Sequence, residues 1–571
     1  MKKIYTIALG LLALAFTGCK EDANEWPVDS QYDRPFRSTT FEVGEALPTS
    51  LKITYTGVAN TSTYVFEFAE VKIDGSDKYG GGEITNYTGD TSHFFDEISK
   101  TVNILADTLT TESTATAEAA KEYETWFEDL KGLTVYAVRM KAVTKDGRES
   151  KYNTLLMKTP PEQIFTSIIG GLEKATIYWE SDKEVTHLMY GEIEATKDAE
   201  GNVTKRDTTW MPQVDLTTAM KSEGELVVTG LTTGSSYVAE IYNSDNKRGT
   251  LAFSTLGVKP SATLGMLNVT ADMDVNTEME NLVAAGQTDL MMVFKGGEMF
   301  DFGGGIKVPA GATSAYFIGD IEAGGELPEV RATSLSLGST LTTLGFQYVD
   351  VNGNKDAGFF MNFGNINPFE YFVSEGCTFR NMNNCLLRLC NSLEGAVIKS
   401  VSLNNCNLIE LSTSGWGVFN FNFSNGTVEK LSITNCNIRD ISDQLMDIRV
   451  KIPVITIDRN ILCQFKNALP KVFLLGTQPG EIAVTNNIFC GDNKGTKINA
   501  GYGNYTYFDY LSNYKTSDFV ENTRKFTNAT TLDLTTEQLF VDPKNGDFHI
   551  KEGVKFAGDG TAGPSKWWTQ K

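Results

Sequence analysis

A short phrase that returns at nearly regular intervals between residues 375 and 492 decides the fold. It reads Gly376-Cys377-Thr378-Phe379-Arg380-Asn381, Asn405-Cys406-Asn407-Leu408-Ile409-Glu410, Asn435-Cys436-Asn437-Ile438-Arg439-Asp440, Arg459-Asn460-Ile461-Leu462-Cys463 and Asn486-Asn487-Ile488-Phe489-Cys490. Each phrase follows a β-rich run of alternating character, such as Val454-Ile455-Thr456-Ile457. A fixed period of this size is typical of solenoids. The sequence therefore predicts a parallel β-helix, whose coils stack at about 4.8 Å.

Equivalent residues of successive coils stand above one another in such a stack, so the repeat also predicts ladders of like side chains. One ladder is expected to pair amides along the axis, through Asn407, Asn437, Asn460 and Asn487, which are 30, 23 and 27 residues apart. Small buried side chains are expected to fill the inside corners, namely Cys377, Cys406 and Cys436. Seven cysteines lie between 377 and 490, and this odd number in a repeat register favours buried thiols over a disulfide framework.

The bulk composition excludes several classes of function. The 571 residues are enough for two to four domains, and the net charge of −22 argues against nucleic acid as a partner. The only three histidines, His93, His187 and His549, are far apart in sequence, which argues against a histidine-based metal site or triad. No C-x-x-C spacing occurs, so a structural metal is not expected. No cofactor is expected either, apart from Ca²⁺ if the protein is a lyase.

The N-terminus has the features of an export signal. Met1-Lys2-Lys3 precedes an apolar run, Ile4 to Phe16, that is too short for a retained membrane span. Phe16-Thr17-Gly18-Cys19 resembles the bacterial lipoprotein box, which implies a signal peptide over 1–18, a lipid on Cys19 and a polar tether over 19–37. Lys20-Glu21-Asp22 resembles the surface-export signal of Bacteroidetes lipoproteins and implies the outer face of the outer membrane. The alternatives are an ordinary cleavage site that contains a cysteine and an acidic linker.

Two segments, 38–159 and 160–259, show short alternating strands separated at Pro160-Pro161. The first ends with Leu130 and then Val135-Tyr136-Ala137-Val138-Arg139, and the second carries Leu231 and Tyr237 at the matching places. These patterns resemble the closing strands of fibronectin type III domains, which implies two tandem β-sandwiches. A spacer role is expected for them, with binding of a partner or a sugar as the alternative.

From residue 260 onward the glycine-ended strands, such as Leu290 to Gly297 and Ala315 to Gly319, resemble the opening coils of pectate-lyase-like β-helices. The tail, Leu539 to Ile550 with Trp567-Trp568, resembles the C-terminal cap of β-helix lipoproteins found with glycan-utilisation systems. The expected fold is all-β: two fibronectin type III-like sandwiches, then a right-handed parallel β-helix with a C-terminal cap over 260–571. Roughly ten coils are expected, with Trp567-Trp568 as the plug at the end.

The fold resemblance raises the possibility of a polysaccharide lyase or hydrolase. A lyase would need acids to hold Ca²⁺ and a basic group to take a proton, and a hydrolase would need two carboxylates. The residues that match these needs are Asp440, Asp443, Asp447, Arg449 and Lys451. Asp440 and Glu410 are expected to stack, but the positions expected above them are Cys463 and Cys490, so no acidic ladder continues. Interleaved charges of this kind are more typical of a solvated face.

The leading hypothesis is polysaccharide binding at the cell surface, with a pectic glycan as the first guess and with an enzyme or transporter of the same glycan system as partner. Sugars stack on exposed aromatic rings. The candidates are Trp416, which lies between two glycines, and a tyrosine-rich loop containing Tyr502, Tyr505, Tyr507 and Tyr510, for which a packed lid is the alternative. The basic residues expected to hold an acidic glycan are Arg439, Arg449, Lys451 and Arg459. An adhesion or protein-interaction role is the remaining hypothesis.

Overall fold

The computed structural model describes residues 34–568, apart from 111–120, 199–202, 365–367, 391–392, 394, 424–425, 466–470, 477–479, 493–510, 523–524 and 527. Cys19 and the four tyrosines of the 502–510 loop therefore lie outside the described residues. Within the described part, three units follow one another along the chain: two antiparallel sandwiches and a parallel solenoid.

The first sandwich packs two antiparallel sheets over one aromatic core. Its strands are β1 (Phe41–Ala46), β2 (Leu51–Thr56), β3 (Thr61–Glu70), β4 (Gly82–Glu83), β5 (Lys100–Leu105), β6 (Glu122–Phe127), β7 (Val135–Thr144) and β8 (Asn153–Lys158), with short 3₁₀ turns at Ser76–Lys78 and Ala106–Thr108. One sheet has the order β1-β2-β6 and the other β4-β8-β7-β3-β5. Alternate residues of β3 enter the core, among them Tyr64, Phe66 and Phe68, because side chains of a strand alternate between its faces.

The second sandwich repeats this arrangement. Its elements are β9 (Phe165–Gly170), β10 (Lys174–Trp179), β11 (His187–Lys197), β12 (Val203–Trp210), β13 (Val214–Asp215), α1 (Thr218–Glu223), β14 (Glu225–Thr229), β15 (Ser236–Asn243) and β16 (Asn246–Ser254). The sheets have the orders β14-β10-β9 and β12-β11-β15-β16, and β13 also pairs with β11. The hydroxyls of Tyr136 and Tyr237 accept backbone N–H groups five residues upstream, at 2.9 and 2.8 Å. This tyrosine corner and the strand order confirm the fibronectin type III-like fold.

The rest of the chain is the predicted parallel β-solenoid. In chain order it comprises β17 (Leu264–Val269), α2 (Val275–Ala284), β18 (Asp289–Lys295), β19 (Met299–Asp301), β20 (Gly305–Val308), β21 (Ser314–Asp320), β22 (Glu329–Arg331), β23 (Ser334–Leu337), β24 (Leu341–Gln347), β25 (Asp350–Ala357), β26 (Met361–Phe363), β27 (Phe369–Glu375), β28 (Thr378–Met382), β29 (Leu387–Leu389), β30 (Val397–Asn404), β31 (Asn407–Leu411), β32 (Phe419–Phe421), β33 (Thr427–Thr434), β34 (Asn437–Arg439), β35 (Met446–Ile448), β36 (Val454–Asp458), β37 (Ile461–Cys463), β38 (Phe473–Leu475), β39 (Glu481–Thr485), β40 (Ile488–Cys490), β41 (Asn513–Lys515), β42 (Ala529–Thr531), α3 (Thr536–Leu539), β43 (Phe540–Asp542), β44 (Asp547–Ile550) and a 3₁₀ turn at Ser565–Trp567.

Three parallel sheets run the length of the solenoid. Sheet one has the order β17-β18-β21-β24-β27-β30-β33-β36-β39, sheet two β19-β22-β25-β28-β31-β34-β37-β40-β41-β42, and sheet three β20-β23-β26-β29-β32-β35-β38. Within the described residues, seven coils contribute one strand to each sheet, and partial coils at the ends bring the total to about eight turns. The expected ten is too many, because residues 532–568 leave the stack and pack against its flank.

The corner between sheets one and two has the same backbone conformation in coil after coil. A residue with φ between 52° and 65° occupies it each time, namely Tyr348, Gly376, Asn405, Asn435, Arg459, Asn486 and Ser512. Asparagine tolerates this left-handed region better than most side chains, which explains its return in the repeated phrase. The following residue in each coil is buried inside the corner, and the register stacks Val349, Cys377, Cys406, Cys436, Asn460, Asn487 and Asn513.

The register corrects the ladder that the spacing predicts. Asn407 stacks on Asn437, but the next residues in that column are Ile461 and Ile488. Asn460 and Asn487 instead continue the cysteine column, one position earlier. Likewise Glu410 and Asp440 are followed by Gln464 and Gly491, not by Cys463 and Cys490, which lie above Arg439. The prediction aligned like residues, whereas the backbone aligns the left-handed corners.

Hydrogen bonds along the inside column satisfy backbone groups that are buried from water. The backbone N–H of Asn460 donates to Oδ1 of Asn487 at 2.9 Å, and Nδ2 of Asn460 donates to the carbonyl of Ile433 at 2.9 Å. In the cysteine part of the column, Sγ of Cys436 accepts the N–H of Cys406 at 3.4 Å, so a thiol takes the place of an amide oxygen. Burial raises the pKa of the Cys377 and Cys436 thiols, which keeps them protonated.

Apolar side chains close both ends of the solenoid. At the first end, Val275 and Met279 of α2 are buried in the core. At the last end, Phe526 stacks on Phe489 with ring centroids 4.1 Å apart, and Phe519 lies beside them. These phenylalanines occupy the place expected for Trp567-Trp568.

The C-terminal segment, residues 532–568, packs on the outer face of sheet two and is called the C-terminal strap below. Nε1 of Trp567 donates to Oδ1 of Asn437 at 2.8 Å, and Nζ of Lys566 donates to Oδ1 of Asn405 at 2.8 Å. The strap buries Ile461 and Ile488, the outward residues of β37 and β40. It thus covers the part of sheet two where isoleucine replaces asparagine.

The second sandwich packs directly against the first coils of sheet one. Leu256 lies in one apolar cluster with Met291, Val293 and Ile318. The N–H of Gly257 donates to Oε1 of Gln347 at 2.7 Å. This contact joins the second sandwich to the solenoid through buried side chains as well as through the chain itself.

The inside column yields a stability prediction. Asn487→Ala removes the acceptor of the buried Asn460 N–H, and an unsatisfied buried donor costs about 1–3 kcal/mol. We expect the urea midpoint of the solenoid to fall accordingly. Asn281→Ala, on the exposed face of α2, is the matched control and should leave the midpoint unchanged. Equal midpoints for the two variants would show that the column contributes no stability.

Candidate functional site

The outer face of sheet three carries one row of polar side chains. The middle residues of β26, β29, β32 and β35 are Asn362, Arg388, Asn420 and Asp447, and the strand register stacks them in this order. Each is flanked by two apolar residues that are buried in the core. The row therefore presents amide and charged groups from four successive coils on one side of the solenoid.

The turn between β31 and β32 places Trp416 next to this row. Gly415, Trp416 and Gly417 all have positive φ, of 114°, 81° and 81°. A tryptophan in this region is strained, by about 1–3 kcal/mol, and needs surroundings that hold it there. Oγ of the buried Ser412 donates to the carbonyl of Gly415 at 2.9 Å and accepts the N–H of Gly417 at 3.0 Å. Trp416 is 50% exposed.

Trp416, Phe359 and Arg388 form a continuous surface, called the Trp416 platform below. The rings of Phe359 and Trp416 meet edge to face, with centroids 5.7 Å apart and planes at 68°. The guanidinium carbon of Arg388 lies 4.9 Å from the centroid of Phe359 and 5.2 Å from that of Trp416. Three coils contribute these side chains, because Phe359 precedes β26, Arg388 lies in β29 and Trp416 precedes β32.

Arg388 carries a charge that no described carboxylate pairs with. Its Nη1 donates to Oδ1 of Asn362 at 3.2 Å. Among the described residues no carboxylate lies within 4.0 Å of its guanidinium, and its buried Nε has no hydrogen-bond partner there. Arg388 as a whole is partly exposed, and a guanidinium has five N–H donors, so donors remain for an acceptor brought by a ligand.

Asp447 acts on the Trp416 platform through hydrogen bonds to neighbouring side chains. It is 3% exposed and accepts two hydrogen bonds from Arg449, Nε at 3.0 Å and Nη2 at 2.9 Å. It also accepts Nδ2 of Asn420 at 3.3 Å, and the same Nδ2 lies 3.1 Å from the carbonyl of Trp416. Asp447 thus orients the amide that holds the Trp416 turn, and its charge is neutralised by Arg449.

Asp443 lies in the same region and is partly buried. Burial raises the pKa of the Asp443 carboxyl; the backbone N–H of Trp416 offsets part of this effect, and the charge of Asp447 adds to it. Nε2 of Gln444 donates to Oδ2 of Asp443 at 3.1 Å. Asp443 therefore contacts the backbone of the turn that carries the tryptophan.

The other residues predicted from the sequence lie elsewhere. Asp440 is buried at the corner after β34 and accepts the N–H of Phe465 at 2.9 Å. Lys451 is exposed beyond β35, and its carbonyl accepts the Thr427 hydroxyl at 3.0 Å. Arg439 donates to the carbonyl of Lys544 in the C-terminal strap, and Arg459 pairs with Asp458 at 3.1 Å. Asp443, Asp447 and Arg449 are brought together with Trp416; Asp440 and Lys451 are not.

Sequence reasoning missed Phe359, Arg388 and Asn420. A signal for the polar row is present as four triplets of apolar, polar and apolar residues: Met361-Asn362-Phe363, Leu387-Arg388-Leu389, Phe419-Asn420-Phe421 and Met446-Asp447-Ile448. Their spacings of 26, 32 and 27 residues follow the coil lengths. No such pattern marks Phe359, which reaches the site from a loop.

The described residues contain neither a metal-binding cluster nor a membrane-spanning helix. No group of three or more His, Cys, Asp or Glu side chains is placed there to hold a metal ion. No helix in the same residues combines the length and apolar character needed to cross a bilayer.

Comparison with known proteins finds fibronectin type III arrays among the similar solved structures. A two-domain segment of chicken tenascin is 13% identical, covers 38% of this chain and 97% of its own, and has a TM-score of 0.21. Domains FN1–FN3 of chicken CNTN1 are 14% identical and cover 39% and 69%, with a TM-score of 0.13. The central fibronectin-III array of RIM-binding protein is 11% identical and covers 39% and 70%, also with a TM-score of 0.13.

At such TM-scores these likenesses carry no argument, and the sandwich assignment rests on strand order and the tyrosine corners. No protein-family model matches the chain, and no curated protein matches it.

The raised pKa of Asp443 predicts a pH-dependent effect on stability. Folding binds a proton more tightly at this carboxyl, so the native carboxylate is destabilising once the pH exceeds its raised pKa. Asp443→Asn should therefore raise the melting temperature at pH 7. The gain should vanish as the pH falls below the ordinary aspartate value of about 3.9.

The matched control for this measurement is Asp356→Asn, at an exposed aspartate of the same solenoid, which should change little at either pH. A gain at Asp443 that persists unchanged at low pH would contradict an origin in the buried charge.

Proposed function

We propose that this chain is a cell-surface lipoprotein that binds polysaccharide on the Trp416 platform. The observation that carries the proposal is the half-exposed Trp416, held in a strained turn beside Phe359 and Arg388. Strain of this kind is concentrated at functional sites, and a fixed aromatic ring binds the C–H face of a sugar with little loss of entropy. Two sandwiches followed by a solenoid are compatible with surface binding or adhesion.

Arg388 favours an acidic sugar as the ligand. A guanidinium that no carboxylate of the described residues pairs with can form a bidentate pair with the carboxylate of a uronic acid. Of the basic residues expected to do this, Arg439, Arg449 and Arg459 already have partners within the protein. A pectic glycan, which is rich in uronic acid, therefore remains the first ligand to test.

The cellular setting of the proposal comes from the sequence. The lipoprotein box at Cys19 and the acidic residues after it support a lipid anchor in the outer membrane with the chain outside. The two sandwiches would then act as a spacer, and the solenoid would present polysaccharide to an enzyme or a transporter of the same glycan system.

A polysaccharide lyase or hydrolase would need a carboxylate that can bind Ca²⁺ or move a proton. Asp447 is buried and bound by Arg449, and the described residues place no third acid with Asp443 and Asp447. The geometry gives more support to binding than to turnover.

Replacement of the tryptophan tests the proposal. Trp416→Ala should weaken the binding of polygalacturonate roughly tenfold or more, as expected for a central aromatic contact, measured by affinity gel electrophoresis. Trp210→Ala is the matched control, because Trp210 is 40% exposed on the second sandwich and should leave binding unchanged.

The same samples discriminate between the functions. New unsaturated or reducing chain ends, lost in Asp447→Ala or on chelation, would establish an enzyme. Failure to bind any polysaccharide would overturn the proposal and leave adhesion as the remaining function.

A second variant tests the choice of sugar. Arg388→Gln should reduce affinity for polygalacturonate and leave affinity for a neutral galactan or arabinan within twofold, since only the charged contact is lost. An equal loss of affinity for both polysaccharides would show that Arg388 supports the platform but does not select for a charged sugar.

A further inference from the structure

The end of the first sandwich where the chain enters carries a basic cavity. Arg34, Phe36, Arg37, Val58 and Arg148 line a cavity of about 360 Å³, and Lys145 lies in the groove beside it. We call Arg34, Phe36, Arg37, Lys145 and Arg148 the basic end. Its charge contrasts with that of the whole chain, which has a net charge of −22.

Among the described residues, the cations of the basic end outnumber the acids beside them. Arg148 pairs with Asp146, Nε at 2.9 Å and Nη2 at 2.8 Å. Arg34 and Arg37 have no hydrogen bond or ion pair with any described residue. Phe36, which stands between them in sequence, is 90% exposed. The described lining residues thus combine four cations, two carboxylates (Asp107 and Asp146) and an exposed aromatic ring.

The basic end lies at the point where the N-terminal segment joins the first sandwich. All residues before Arg34, including Cys19, join the sandwich here. The fifteen residues from 19 to 33 span at most about 50 Å when fully extended. With a lipid on Cys19, the basic end is therefore the folded part of the chain that is nearest to the anchor in sequence.

We propose that the basic end docks on an anionic lipid surface, with Arg34 and Arg37 contacting headgroup phosphates and Phe36 entering the interface. Arginine forks bind phosphate oxygens in pairs, and an aromatic ring is favoured at the level of the headgroups. The anchored geometry rests on the lipid proposed above, but the contact itself does not require it.

A basic patch adds an electrostatic attraction to an anionic membrane, whatever lipid the chain carries. A chain of charge −22 is also repelled by an anionic membrane over most of its surface, so only a locally positive end can approach. The basic end would therefore fix which way the molecule stands.

The test uses the mature full-length chain with Cys19→Ser, so that no lipid contributes. Sedimentation should show binding to vesicles of phosphatidylcholine with phosphatidylglycerol, little binding to phosphatidylcholine alone, and loss of binding in 1 M salt. Arg34→Gln with Arg37→Gln should weaken binding to the anionic vesicles about 30-fold. Lys205→Gln with Arg206→Gln, exposed on β12, makes the same charge change elsewhere and should have no effect.

Three results would overturn the proposal: equal binding to both kinds of vesicle, an unchanged affinity of the Arg34/Arg37 variant, or binding of inorganic phosphate without binding of any vesicle. Absence of vesicle binding, as expected if the basic end meets an acidic protein, would overturn it too. Polysaccharide binding, measured on the same samples, is independent of these outcomes and separates this proposal from the one for Trp416.

Discussion

A single residue in the left-handed conformation turns each later coil from sheet one into sheet two, and the rest of the solenoid depends on it. Because the chain bends sharply at this one residue, the next residue is buried inside the corner. The backbone N–H of that buried residue is shut off from water. That N–H needs an acceptor from the coil above. Asparagine supplies an oxygen at 2.8–3.1 Å in the later coils, and cysteine supplies a sulfur at 3.4 Å earlier. The repeated phrase meets both requirements: it has a residue that tolerates positive φ, followed by a residue with a small hydrogen-bond acceptor.

The same stack makes the Trp416 platform possible. Core packing fixes the strands of sheet three, so their outward side chains come into register without any contact between them being needed. Loops that leave this rigid row can then adopt an unfavourable conformation, as the Gly415-Trp416-Gly417 turn does, because Ser412, Asn420 and Asp443 hold it. The packed strands provide the stability that offsets the strain of the Trp416 turn.

The sequence predicts the architecture well because periodicity and turn chemistry are local. The tyrosine corners at Tyr136 and Tyr237 and the alternation before each phrase are visible in a few residues. The alignment of one coil with the next is harder to predict, since the coils differ in length by several residues. Aligning like residues placed Asn460 in the column of Asn437, whereas it lies in the column of Cys436. Trp416 stands out in the sequence between its two glycines. Its contacts with Phe359 and Arg388 do not, because they join three coils and their geometry depends on every loop length between them.

The C-terminal strap has a consequence for the order of events in folding. A solenoid gains stability coil by coil from neighbours close in sequence, and it can begin to fold while the chain is still emerging. The strap joins Lys566 to Asn405 and Trp567 to Asn437, across 161 and 130 residues. Ile461 and Ile488 stay exposed to water until the strap packs on them. Contacts of such long range form late. The flank of the later coils would therefore stay uncovered until the C-terminal strap has been synthesised and has packed on sheet two.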